Sequence, residues 1–117
     1  MSPLWLDIGP ASQIEPGSAR TLPVLGGPEP DREIAVFRTV RGEVYALVNK
    51  CPHKQGPLSQ GIVHGDSVTC PLHNYRISLK TGEALGDDAG CTPTIPLKLE
   101  AGRIFLLREA VLGRQAA

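Results

Sequence analysis

An all-β fold, a sandwich of short strands, is what this sequence predicts, and three observations carry that reading. Thirteen glycines and eleven prolines, 24 of 117 residues together, favour frequent turns over long helices. Runs rich in Val, Ile, Leu, Phe and Tyr recur along the chain, separated by turn residues, as strands in hairpins do. No heptad, internal repeat or low-complexity run competes with that pattern. The length suits one domain with one core and is too short for two.

Residues 4–8 (Leu-Trp-Leu-Asp-Ile) read as a first strand, closed by Gly9-Pro10. Trp5, the single tryptophan, is expected to serve core packing. Residues 12–18 form a polar turn segment around Pro16-Gly17. Residues 20–25 can make a second strand, which Pro23 pushes to an edge because it has no N–H to give a ladder. The loop at 26–30 is glycine-rich but has neither the spacing nor the lysine of a phosphate loop. The clearest hairpin joins 33–40 to 43–48 across Arg41-Gly42, a pair suited to the base sheet of a sandwich. Its second strand runs straight into Asn49-Lys50-Cys51, so a rigid element delivers whatever Cys51 does.

Ile62-Val63 and Ser67–Thr69 flank a His64-Gly65-Asp66 turn, a further hairpin, with His64 expected to be exposed there. Residues 74–79 lead into a turn at Lys80-Thr81-Gly82-Glu83. Residues 86–93 make a long irregular loop. Its Asp87 and Asp88 are read as solvated. Its Cys91 is read as a buried small hydrophobe, the alternative being a place in a loop that shields the site described next. Residues 94–99 and 103–107, split by Glu100-Ala101-Gly102, form a last hairpin, with Pro96 placing the first strand near an edge. From Arg108 the chain is a short helical turn or a frayed tail. The expected organisation is a single domain over 1–109 and a tail at 110–117.

The chemistry concentrates in two short runs, Cys51-Pro52-His53 and Cys70-Pro71-Leu72-His73, with 16 residues between them. Each run offers one sulfur and one nitrogen donor. A centre with two chemically different metals needs that arrangement: in a mixed-ligand [2Fe–2S] cluster two thiolates hold one iron and two imidazoles the other. One ligand from each run on each iron gives Cys51 and Cys70 the first and His53 and His73 the second. Bridging sulfides let a Cys and a His close in sequence reach neighbouring irons. The same four side chains could instead hold one tetrahedral zinc, although zinc knuckles usually pair like with like, as in C-x2-C and H-x3-H. An electron-transfer protein with a [2Fe–2S] cluster follows from the first reading, and a zinc-stabilised interaction domain from the second.

These runs, with Gly56-Pro57-Leu58 after the first, resemble the Rieske and Rieske-like domain family over about residues 4–107. The resemblance implies an all-β Rieske-type sandwich with a small cluster-binding subdomain at about 49–93. Its ligand loops would lie at 51–60 and 70–75, with a covering loop at 86–93. High-potential members join the two loops by a disulfide; the matching positions here are Gly56 and Leu72, so that bridge cannot form. Those members also set Ser and Tyr hydroxyls against the cluster sulfurs, where this chain has Tyr75 and Ile77. Losing hydrogen bonds that favour the reduced state implies a potential near the low end of the Rieske range, on the order of −150 mV.

Two low-potential groups fit. The runs 56–63 and 68–75, with Thr81-Gly82-Glu83-Ala84 and Gly90-Cys91-Thr92, look most like the small subunit of assimilatory NAD(P)H nitrite reductase. That likeness implies a large partner carrying flavin and sirohaem and reducing nitrite to ammonium, with this chain not catalytic alone. The alternative is a Rieske ferredoxin feeding a ring-hydroxylating dioxygenase. In either, Pro52, Pro71 and Leu72 would rim the imidazole edges.

Twelve basic and twelve acidic residues leave no net charge, which argues against a nucleic-acid partner or an acidic-membrane patch. No apolar run approaches the ~18 residues of a membrane span. The N-terminus lacks the pattern of a signal peptide. Three cysteines, two in the metal motif, argue against a disulfide scaffold, so a cytoplasmic setting is expected.

Overall fold

The computed structural model describes residues 4–24, 32–50, 57–70, 76–85 and 90–113. In chain order the strands are β1 (Trp5–Pro10), β2 (Ser18–Pro23), β3 (Glu33–Arg38), β4 (Val44–Val48), β5 (Ile62–His64), β6 (Ser67–Thr69), β7 (Arg76–Ser78), β8 (Thr94–Ile95), β9 (Leu97–Glu100) and β10 (Arg103–Leu107). Short 3-10 turns lie at Ala11–Gln13 and Leu58–Gln60, and a helix α1 at Arg108–Leu112. The strands form three antiparallel sheets, ordered β1-β10-β9, β2-β3-β4-β8 and β5-β6-β7. The all-β architecture is as the sequence predicts.

The middle sheet is covered on both faces. Side chains alternate across a strand, so Ile34 and Val36 of β3 and Val44, Ala46 and Val48 of β4 face one core. That core is closed by Ile104 and Leu106 of β10 and Val111 of α1. Ala35, Phe37 and Leu47 face a second core, closed by Leu58, Val68, Cys70, Ile77 and Leu79. Two-sided burial is why β3 reads as the unbroken apolar run Ile34-Ala35-Val36-Phe37, without polar alternation.

Pro96 changes the expected last hairpin. The stretch read as one strand is two: Ile95 pairs with Ala46 in the middle sheet, whereas Leu97 pairs with Leu106 in the outer one. Proline has no N–H to continue the first ladder. Its carbonyl instead accepts from Leu107 N at 3.0 Å, and the chain crosses between sheets there. The β9–β10 turn is made by Ala101 and Gly102, both at positive φ (52° and 77°), the backbone of a type I′ hairpin.

Two expectations are corrected. Trp5 is half-buried and not in the core. It pairs with Leu107, whose neighbour Leu106 takes the inward position, so Trp5 lies on the outer face, where Lys98 Nζ sits 4.8 Å from its ring centroid. Cys91 is exposed: it forms a β-bridge with Glu83, and the next residue, Thr92, takes the buried position. His64 is exposed at the end of β5, as expected. The loop at 26–30 and the pair Asp87 and Asp88 lie outside the described residues.

Helix α1 is fastened at its C-terminal end. Arg32, buried, donates from Nε to Val111 O and from Nη2 to Ala110 O, both at 2.8 Å. Carbonyls at a helix C-terminus have no partner within the helix, and these two find one in a guanidinium.

Candidate metal centre

Of the four residues proposed as metal ligands, the structure places one. Cys70 follows β6 and is fully buried. Two residues beyond Val68, it keeps to the same side of the sheet and joins the second core with Val68, Ile77, Leu58 and Leu79. Cys51, His53 and His73 lie outside the described residues, as do Pro52, Pro71, Leu72 and Tyr75. The frame from which both ligand loops spring is described in full.

The first loop leaves the end of β4 and returns at Pro57. Its two ends are joined by Asn49, a buried amide. Asn49 Oδ1 accepts from Ser59 N at 2.8 Å, and Asn49 Nδ2 donates to Ser59 Oγ at 3.0 Å and to Glu33 Oε1 at 2.7 Å. The backbone N–H of Asn49 donates to Glu33 O at 2.8 Å. A buried amide left without partners would cost about 1–3 kcal/mol, so this set holds Asn49 against Ser59 and Glu33. Leu58, just past the return point, is fully buried in the core that holds Cys70. The bases of both ligand loops therefore share one apolar floor.

Gly61 brings the two loops into register. A Cβ at this position would lie 2.1 Å from Thr69 O, on the residue that precedes Cys70. Only glycine allows the backbone after the first loop to lie against the strand delivering the second. Gly82 does the same on the third side: it has φ +77°, and a Cβ there would meet Thr92 O at 2.0 Å. Thr92 N donates to Gly82 O at 2.8 Å, and Thr92 Oγ1 donates to Val48 O at 3.0 Å. Val48 N in turn donates to Pro93 O at 2.9 Å. The segment beyond 86–89 is thus tied to the end of β4, one residue before Asn49.

Sequence reading missed Asn49, Ser59, Glu33 and Thr92. The available signal was a polar Asn ending the apolar run of β4 immediately before a ligand loop. Tyr45, whose hydroxyl donates to Glu43 Oε2 at 3.3 Å, has its pKa raised by burial and by the Glu43 charge. It stands at the start of β4, away from the ligand loops.

The donor set fits a mixed-ligand [2Fe–2S] centre. The proposed ligands are two thiols and two imidazoles, and the one described thiol, that of Cys70, is fully buried among apolar side chains.

Comparisons with known proteins agree. The model of the Rieske [2Fe-2S] domain matches residues 4–96. A Ralstonia ferredoxin component of naphthalene 1,2-dioxygenase/salicylate 5-hydroxylase systems is 35% identical over 115 residues, covering 93% of this chain and 100% of that one. The 3-phenylpropionate/cinnamic acid dioxygenase ferredoxin subunit of Escherichia coli is 40% identical over 80 residues, 62% of this chain and 70% of that one. Among solved structures, a chain from the oxygenase–ferredoxin complex of carbazole 1,9a-dioxygenase superposes with TM-score 0.78 at 23% identity, covering 99% of each chain. A Mycobacterium tuberculosis chain assigned as an NADH-dependent nitrite reductase small subunit superposes with TM-score 0.77 at 23% identity, covering 100% of each. At that identity the two structures show the fold alone. The family match and the ferredoxin relatives decide between the two metals, against the zinc reading. The chain belongs to the Rieske [2Fe-2S] domain family, and it is an electron-transfer domain whose cofactor is a Rieske [2Fe-2S] cluster.

Proposed function

We propose that this protein is the ferredoxin component of a ring-hydroxylating oxygenase system, with Cys51 and Cys70 holding one iron and His53 and His73 the other. One observation carries the reading: at 35% identity, 93% of the chain matches the full length of a dioxygenase ferredoxin component. The nitrite reductase reading, to which the runs 56–63 and 68–75 pointed, keeps one specific support. It is a second structural neighbour assigned as a nitrite reductase small subunit, at 25% identity with TM-score 0.73 over 89% of this chain. The balance passes to the ferredoxin.

The bound cluster stores and passes on one electron at a time. The chain's own residues set the conditions for that. Leu58, Val68, Ile77 and Leu79 exclude water around Cys70. Ile77, fully buried in that wall, has no hydroxyl to donate to a sulfur, which favours a low potential. Pro52, Pro71 and Leu72, which lie outside the described residues, put apolar side chains next to the proposed ligands in sequence.

The protein is reconstituted anaerobically and checked for two irons and two sulfides and, after reduction, for the low average g-value of mixed ligation. It is then supplied, with dioxygen, aromatic substrate, NADH and a ferredoxin reductase, as electron carrier to the oxygenase component of a naphthalene-type dioxygenase. Product formation that depends on this protein is expected. No turnover there, with copurification of a sirohaem protein from the native host, would transfer the function to the nitrite reductase.

A further inference from the structure

We infer that Asn49 is a positioning residue for the cluster, acting with Glu33 and Ser59 as a clasp that sets the shape of the first ligand loop. The inference rests on the assignment of Cys51 and His53 as ligands. The geometry itself is independent of it. Asn49 stands two residues before Cys51, and Ser59 lies ten residues from Asn49 on the far side of the loop. One buried amide therefore fixes both ends of the segment by accepting from the backbone N–H of Ser59 and donating to its hydroxyl.

Glu33 makes the clasp directional. Its Oε1 accepts from Asn49 Nδ2 at 2.7 Å, a short contact of the charge-assisted kind. An amide at 49 can turn only one way: nitrogen toward Glu33, oxygen toward Ser59 N. The side chain is thereby held in a single orientation. Backbone pairing of Asn49 N with Glu33 O places the carboxylate beside the amide. None of these three residues is a metal donor in the proposed set. They act through the loop backbone, as partners outside a metal's ligand set orient the ligands within it.

A charge swap tests this. Asn49→Asp puts a carboxylate oxygen against Glu33 Oε1, so the clasp opens by repulsion. Adding Glu33→Gln restores the pairing with its polarity reversed, since the Gln amide donates to the Asp carboxylate. Net charge in the pair is then the same as in the parent protein. All variants are prepared as holoproteins. Cluster loss to a chelator is followed by visible absorbance, the cluster environment by visible circular dichroism, and folding by far-UV circular dichroism of the protein after cluster removal.

Asn49→Asp is expected to lose its cluster about tenfold faster or more, the lower end of what removing such a partner costs, with an altered visible spectrum. The double variant is expected to return within about twofold of the parent, and all proteins to keep the parent far-UV spectrum. Parental cluster loss in Asn49→Asp, or no recovery in the double variant, would overturn the inference. So would cluster loss that merely tracks unfolding of the cluster-free protein. Cys51→Ser serves as the reference. If it retains a Rieske-type cluster, the ligand assignment fails; if it loses the cluster while Asn49→Asp does not, only the clasp fails.

Discussion

At the scale of single residues, the frame of the metal centre depends on positions that carry no metal chemistry. Gly61 is the sharpest case. Its missing Cβ leaves room for Thr69 O, which a methyl group would meet at 2.1 Å. Gly61→Ala must push apart the return of the first loop and the strand that delivers Cys70. Overpacking of this kind costs about 1–3 kcal/mol. We expect a lower denaturation midpoint and a lower iron content per chain, measured by urea titration and by metal analysis on the same preparation. An unchanged iron content would show that the two loops do not need this close approach. Gly61 was legible as part of the run after the first ligand loop, but its reason was not: the atom it makes room for is eight residues away in sequence and is met only across the β5–β6 ladder.

Among elements, the β1–β10 pair shows how a strand edge is secured. Register shifts between Asp7 and Gly9, a bulge at Ile8, and Gly9 there has φ +111°. Asp7 holds it: Oδ1 accepts from Gly9 N at 3.0 Å and Oδ2 accepts from Arg103 Nε at 2.9 Å. The Arg103 hydrogen bond first, then the Gly9 N–H, hold the Asp7 carboxyl below its usual 3.8. A depressed folded-state pKa contributes stability that is complete above the unfolded value and lost as pH falls through the folded one. Asp7→Asn should therefore melt below the parent at about pH 7, with the gap closing once pH drops well below 3.8. Thermal melts across that range check it, and a gap that persists in acid would place the effect elsewhere than in the carboxylate's charge. The effect is expected to be small, because the pair is exposed and screened.

For the whole molecule, the middle sheet is the shared wall of two cores, and Phe37 faces the core that floors the metal centre. Deleting a buried aromatic side chain costs about 3–5 kcal/mol. Phe37→Ala should destabilise the fold by that amount in denaturant titrations. It should also speed cluster loss, because Cys70 and Leu58 belong to the same packed core. Val36→Ala, on the opposite face of the same strand, should destabilise the fold with less effect on the cluster. Equal effects of the two on cluster retention would argue that the cores are not distinct. Among the described residues, no helix is long and apolar enough to cross a membrane.

The four donors, their spacing and the alternation of apolar runs with turns are local features of the sequence. They narrowed the cofactor to a mixed-ligand [2Fe–2S] cluster or one zinc, and determined the all-β class and most strand positions without reference to anything distant. What lay beyond reach was decided by partners far apart in the chain. Pro96 as a crossing between sheets, Trp5 turned outward under Lys98, and Cys91 yielding the interior to Thr92 depend on which strand pairs with which, and so on which face becomes inside. The Glu33–Asn49–Ser59 clasp is of the same kind. A buried amide is unremarkable in a sequence and acquires a purpose only when folding surrounds it with the hydrogen-bond partners that burial demands.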